Sequence, residues 1–147
     1  MTSPRPLLAE LLRQRVLVLD GATGTALAAR SLSAADYGGE RLVGCHEALV
    51  LQRPDVVLDL HRSYLEAGAD IVETNTFGAN HVRLAEHGLA AQVAAINVAG
   101  ARLMQENLKS FGVPEFSPEE VEFAKAIQRE TKVKEVGINT AVKPFAE

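Results

Sequence analysis

The side chains able to do chemistry fall in a few short stretches. Asp20-Gly21 closes the apolar run Val16-Leu17-Val18-Leu19. An acid at the end of a strand can hold a substrate ammonium, and a glycine after it lets backbone amides approach a carboxylate. On spacing alone, a plain Asp-Gly turn is the better account of this pair. Glu73-Thr74-Asn75-Thr76 closes a second apolar run. Such a cluster could orient a polar substrate, or it could satisfy backbone groups in a loop. Alternation along a strand puts Thr74 and Thr76 together as the substrate-side pair, with Glu73 a further candidate.

Other chemically suggestive residues read more plainly. Cys45, His46 and Glu47 are all metal-ligand types, but the side chains of three adjacent residues diverge and rarely meet on one ion. A loop with a partly buried thiol is expected there, and no metal ligand is assigned. Gly21, Thr23, Gly24 and Thr25 superficially resemble a phosphate loop, yet no lysine follows Gly24, so phosphate binding is not expected. His61 lies on a helical stretch, where packing or capping is its expected role. His81 and His87 are expected at the surface beside a short helix.

The elements that would position these residues can be read from periodicity. Leu7, Leu8, Leu11 and Leu12 recur at helical spacing over residues 6–14. Val16–Leu19 suits a parallel strand buried on both faces. Residues 21–53 are mixed, with a break at Gly38-Gly39. Pro54 fits the first position of a helix and Asp55 its first turn. Val56, Val57, Leu60 and Tyr64 form its apolar stripe, and Gly68 stops it. Ala69 to Val72 leads into a second strand. A short helix through Val82 and Leu84 ends at Gly88, and a longer one carries Leu89, Val93, Ile96, Gly100 and Leu103 on one face. The order strand, helix, strand, helix is the βαβ pattern of a parallel sheet. The two strands should lie side by side, with Leu19 against Val72 and Asp20 beside Glu73–Thr76.

After about Met104 the character changes. Ser117-Pro118-Glu119-Glu120 is a helix start with capping-box spacing, and a helix to about Glu130 is expected. Lys132 to Glu147 offers no clear strand to continue a barrel.

Composition is that of an ordinary soluble domain: 147 residues, 47% hydrophobic, 23% charged, net charge −4 and one cysteine. The acidic balance with no basic stripe argues against a nucleic-acid partner. No apolar run reaches membrane-spanning length and no long apolar leader stands at the N-terminus, so no membrane is expected and a cytoplasmic location is. A single cysteine, Cys45, cannot form an internal disulfide.

Taken in order and spacing, five motifs carry a resemblance. They are Leu19-Asp20-Gly21-Ala22-Thr23-Gly24-Thr25, Gly44-Cys45-His46-Glu47, Arg53-Pro54-Asp55-Val56-Val57, His61 to Asp70, and Glu73-Thr74-Asn75-Thr76-Phe77-Gly78. From about Val16 to about Met104 the chain resembles the homocysteine S-methyltransferase module found at the start of cobalamin-dependent methionine synthases. Thr23 stands where that family usually has Met, and His46 where it usually has Asn or Asp.

The resemblance implies a (βα)8 TIM-type barrel, of which this chain would supply an N-terminal fragment with two strands. It implies homocysteine as substrate, bound by Asp20, Gly21, Glu73, Thr74 and Thr76, with the methyl group passing to the zinc-bound thiolate to give methionine. Zinc and cobalamin are implied for the intact family enzyme. The zinc is held by three cysteines from later strands, which this chain lacks, so no cofactor, no catalytic residue and no activity are expected of the chain alone.

The expected organisation is a partial homocysteine-binding domain over 1–108 and a helical tail of different origin over 109–147. Phe111 to Ala124 resembles a segment of the aminobenzoyl-glutamate-utilisation amidohydrolases, a branch of the M20 metallopeptidases. Two rival readings follow. One is a non-catalytic remnant or interaction module that self-associates through open sheet edges. The other is a stray amidohydrolase piece with a borrowed head.

Overall fold

The computed structural model describes residues 8–111 and the backbone of residues 140–142. The capped helix expected from Ser117 to about Glu130 lies outside the described residues, as does the amidohydrolase-like segment beyond Phe111.

The chain opens with helix α1, Leu8–Gln14. Its Leu11 is buried while Leu12 is exposed. Three short helices follow: α2 (Thr23–Ala28), α3 (Ala34–Tyr37) and α4 (Leu49–Gln52). Ser33 caps α3 reciprocally with Asp36, each side chain accepting from the other's backbone N–H.

Helix α5 runs Pro54–Glu66. Arg53 pairs with Asp55 in its first turn at 2.7 Å and also with Asp36. Val56, Val57, Leu60, His61 and Leu65 form its buried face. It ends at Gly68, whose φ of +102° a residue with a Cβ rarely adopts. Strand β1, Ile71–Glu73, comes next, then α6 (His81–Glu86) and α7 (Val93–Ser110). Asn80 caps α6 by accepting from the N–H groups of Val82 and Arg83, both at 3.1 Å.

Two apolar clusters hold these elements. The larger joins Leu27, Leu49, Val57, Leu60, Leu84 and Ile96, and so ties α2, α4, α5, α6 and α7 together. The smaller packs Val72 of β1 against Leu65, Ala69, Met104 and Leu108. Each fully buried leucine contributes about 1.5–3 kcal/mol. A polar tie adds to this packing: Asn107 of α7 donates to the Leu58 carbonyl of α5 at 2.7 Å.

The first expected strand is corrected. Val16–Leu19 does run parallel beside β1, but through a single bridge, Leu19 to Ile71. It is not buried on both faces, since Val16 is 85% and Leu19 51% exposed. Leu19 is also absent from the cluster around Val72. The reason is that a buried parallel strand needs sheet neighbours on both edges and cover on both faces. Among the described residues its backbone is met on one edge, where Asp70 and Ile71 donate to the Val18 carbonyl at 2.8 and 3.1 Å. Asp70 completes that edge with its side chain, accepting from Val18 N–H at 2.9 Å while pairing with Arg15 at 2.7 Å.

The other edge of β1 differs from a barrel as well. It pairs with a strand not expected from the sequence, β2 (Thr140–Val142), in antiparallel register from Ile71–Val142 to Glu73–Thr140. The described fold is therefore α/β and mostly helical.

Candidate functional site

A cleft of about 340 Å³ opens at the C-terminal end of β1. Three segments wall it: Gly21–Gly24 entering α2, His46-Glu47, and Glu73–Asn75 with Phe77. Each wall has a local cause. Ala22 adopts a left-handed conformation, φ 46°, just before α2, which turns the chain away from the end of the Val16–Leu19 segment. The His46–Ala48 stretch is a 3-10 turn. Beyond Glu73 the strand geometry ends, and Thr76 N–H bonds back to the Thr74 carbonyl at 2.8 Å.

The expected substrate residues come together here, though unequally. Gly21, Glu73 and Thr74 line the cleft. Gly21 has open space where a Cβ would stand, so a ligand can approach its backbone. Asp20 is buried behind that wall, and both its carboxylate oxygens accept from Glu73 N–H, at 3.2 and 3.1 Å. Burial pushes its carboxyl above the usual range, the Glu73 amide opposes that, and the Glu73 charge adds to it.

Thr76 is not a lining residue. It is buried, its methyl packs against Gly100 of α7, and its hydroxyl lies 2.7 Å from that of Thr74. Strand alternation, which set Glu73 apart from Thr74, fails because β1 stops at Glu73.

Three further residues, outside the expected substrate-binding set, shape the cleft. Asn75 is buried and donates to the His46 carbonyl at 2.7 Å. Glu47 accepts from Gly78 N–H at 2.8 Å. The His46 ring holds the Tyr37 hydroxyl 3.0 Å from Nδ1. The family departure at position 46 was the available signal, but the ring's direction was not legible without the fold.

The bland readings of the other histidines hold. His61 is buried on α5, His81 is exposed at the start of α6, and His87 lies 3.0 Å from the Arg41 carbonyl.

Zinc finds no fit here. Among the described residues no three His, Cys, Asp or Glu side chains gather as a metal-holding group. Cys45 is buried, and burial pushes its thiol up, the reverse of a ligating thiolate. No described helix is long and apolar enough to cross a membrane.

Polar groups gathered at the C-terminal end of a strand stand where proteins of the α/β class place their sites. Comparison with known proteins narrows this. Residues 17–142 match the homocysteine S-methyltransferase family model, and the chain belongs to that family. It is 43% identical over 108 residues to a methionine synthase of Mycobacterium tuberculosis, a match covering 74% of this chain and 9% of that protein. It is 47% identical over 93 residues to a methionine synthase of Mycobacterium leprae, covering 63% of this chain and 8% of that protein. The matched stretch thus spans under a tenth of the length of these curated relatives.

Proposed function

We propose that this chain carries the homocysteine-binding part of a methionine synthase-type homocysteine S-methyltransferase, within a TIM-type barrel. The observation that carries the reading is the cleft at the end of β1, where Gly21, Glu73 and Thr74 converge in front of Asp20. Glu73, backed by the Asp20 carboxylate, holds the ammonium of homocysteine. Gly21 gives the ligand access to the backbone, and Thr74, its hydroxyl paired with that of Thr76, meets it from the cleft wall. In an intact enzyme zinc would activate the homocysteine thiol and cobalamin would carry the methyl group. Other parts of the intact enzyme supply those groups, and this chain supplies orientation. A cytoplasmic location and a head–tail boundary at 108/109 belong to the same reading.

Calorimetric titration of the full chain with L-homocysteine tests it. Asp20→Asn and Glu73→Gln should each weaken binding about tenfold, the scale of one hydrogen bond to a charged group. Absence of binding by the unaltered chain, or undiminished binding by both variants, would overturn the reading. No methyl transfer to homocysteine is expected from the chain with added zinc and methylcobalamin or methyltetrahydrofolate, because three thiolate ligands are required and the sequence has one cysteine.

A second reading, an interaction module, is favoured by the exposed apolar side chains of Val16, Val18 and Leu19 beside a backbone edge that β1 does not occupy.

A further inference from the structure

An amino acid brings a carboxylate as well as an ammonium, and the cleft is rich in carboxylates of its own. Glu47 and Glu73 both line it, and no arginine or lysine does among the described residues. Side-chain donors are few. The Thr74 hydroxyl is engaged with Thr76, and the Asn75 amide donates to the His46 carbonyl. The other donors on the wall are the Thr23 hydroxyl and the His46 ring.

The His46 ring is held in place. Its own backbone carbonyl is pinned by Asn75 at 2.7 Å, and its Nδ1 lies 3.0 Å from the Tyr37 hydroxyl. Tyr37 is buried, and burial pushes its phenol up, so it keeps its proton and can donate it to Nδ1. With Tyr37 as the donor to Nδ1, Nε2 is the ring nitrogen left to donate. That edge lies along the cleft wall, where a Cβ on Gly24 would stand 3.7 Å from Cδ2 and 3.9 Å from Nε2.

We propose that His46 donates a hydrogen bond through Nε2 to the carboxylate of the amino-acid ligand, with Tyr37 as the positioning residue that sets its tautomer. The proposal rests on the homocysteine-binding reading above and deepens it: the cleft selects an α-amino acid rather than a simple aminothiol.

The test is calorimetry on the full chain with two probes, L-homocysteine and 3-aminopropane-1-thiol, which lacks only the carboxylate. His46→Leu should weaken homocysteine about tenfold and leave the aminothiol within about twofold, since a hydrogen bond to a charged group is at stake for one ligand alone. His46→Gln, which keeps a donor, should recover most of the loss, and Tyr37→Phe should weaken homocysteine selectively. Equal losses for both probes, or no loss for homocysteine, would overturn the proposal. A nitrogen NMR measurement on the unaltered chain needs no variant to fold: the His46 Nε2–H signal should shift with homocysteine and stay still with the aminothiol, and a still signal with both overturns the proposal. A chain that binds neither probe defeats the homocysteine reading and this proposal together, whereas a chain that binds homocysteine equally well as His46→Leu defeats this proposal alone.

Discussion

His61 has two ring nitrogens and 2% exposure, and among the described residues neither nitrogen has a hydrogen-bond partner of ordinary geometry. Burial pushes its pKa down to about 4, with the Glu73 backbone pulling weakly the other way. The unfolded chain therefore binds more protons than the folded one between about pH 4 and 6.5. The stability held by the neutral ring is fully present above about pH 6.5 and is lost as pH falls toward 4, by about 3 kcal/mol at the acid end. Asp20, whose carboxyl is raised, works in the opposite sense: its cost to the fold grows as pH rises through its folded pKa. The comparison with His61→Phe isolates the histidine. Denaturant melts from about pH 7 to about pH 4 should show a shallower acid loss in that variant. Identical slopes would show that His61 is not the titrating group.

At the scale of elements, the site depends on how closely α7 approaches the loop after β1. Gly100 makes that approach possible, because a Cβ there would overlap the Thr76 methyl. Gly100→Ala should cost about 1–3 kcal/mol through overpacking, although alanine is the better helix former by about 1 kcal/mol. It should also disturb the Thr74–Thr76 hydroxyl pair. A variant that melts higher than the parent would show that the loop yields freely. A second element contact is testable at Asp70, which accepts from Val18 N–H and pairs with Arg15. Asp70→Ala should destabilise by about 1.5–3 kcal/mol, the cost of losing hydrogen bonds to a charged group. Amide exchange at Val18 should speed up in the same variant, and unchanged protection there would remove Asp70 as the clamp on this segment.

At the scale of the molecule, both apolar clusters close with residues no later than Phe111 among those described. The head should keep its melting transition when residues 111–147 are deleted. The opposing observations are that β2 pairs with β1 and that the family match reaches residue 142. A large loss of head helicity on truncation would show that the two parts fold as one cooperative unit. The exposed edge at Val16–Leu19 leads to a further expectation: sedimentation should show concentration-dependent association, weakened by Val18→Lys, because charge on an edge blocks strand pairing. A monomer at every concentration would remove the interaction-module reading.

Much of the helical framework was legible in the sequence because its causes are local. Pro54 starts α5 and Gly68 ends it, and the apolar stripe between them is written in the spacing of Val56, Val57 and Leu60. Asp20 and Glu73 could be placed together because consecutive parallel βα units bring their strand ends side by side. What only the tertiary structure decided was everything that depends on neighbours distant in the chain. Val16–Leu19 has the composition of a buried strand, yet burial is a property of its surroundings, and it lies exposed with one bridge to β1. Thr76 looked like a partner of Thr74 in the site, but Gly100 draws it into the packing against α7. His46 looked like part of an unremarkable loop, but Tyr37 and Asn75 hold its ring and its backbone from opposite sides. A side chain's chemistry is set by its type, but its direction is set by contacts that sequence spacing does not encode.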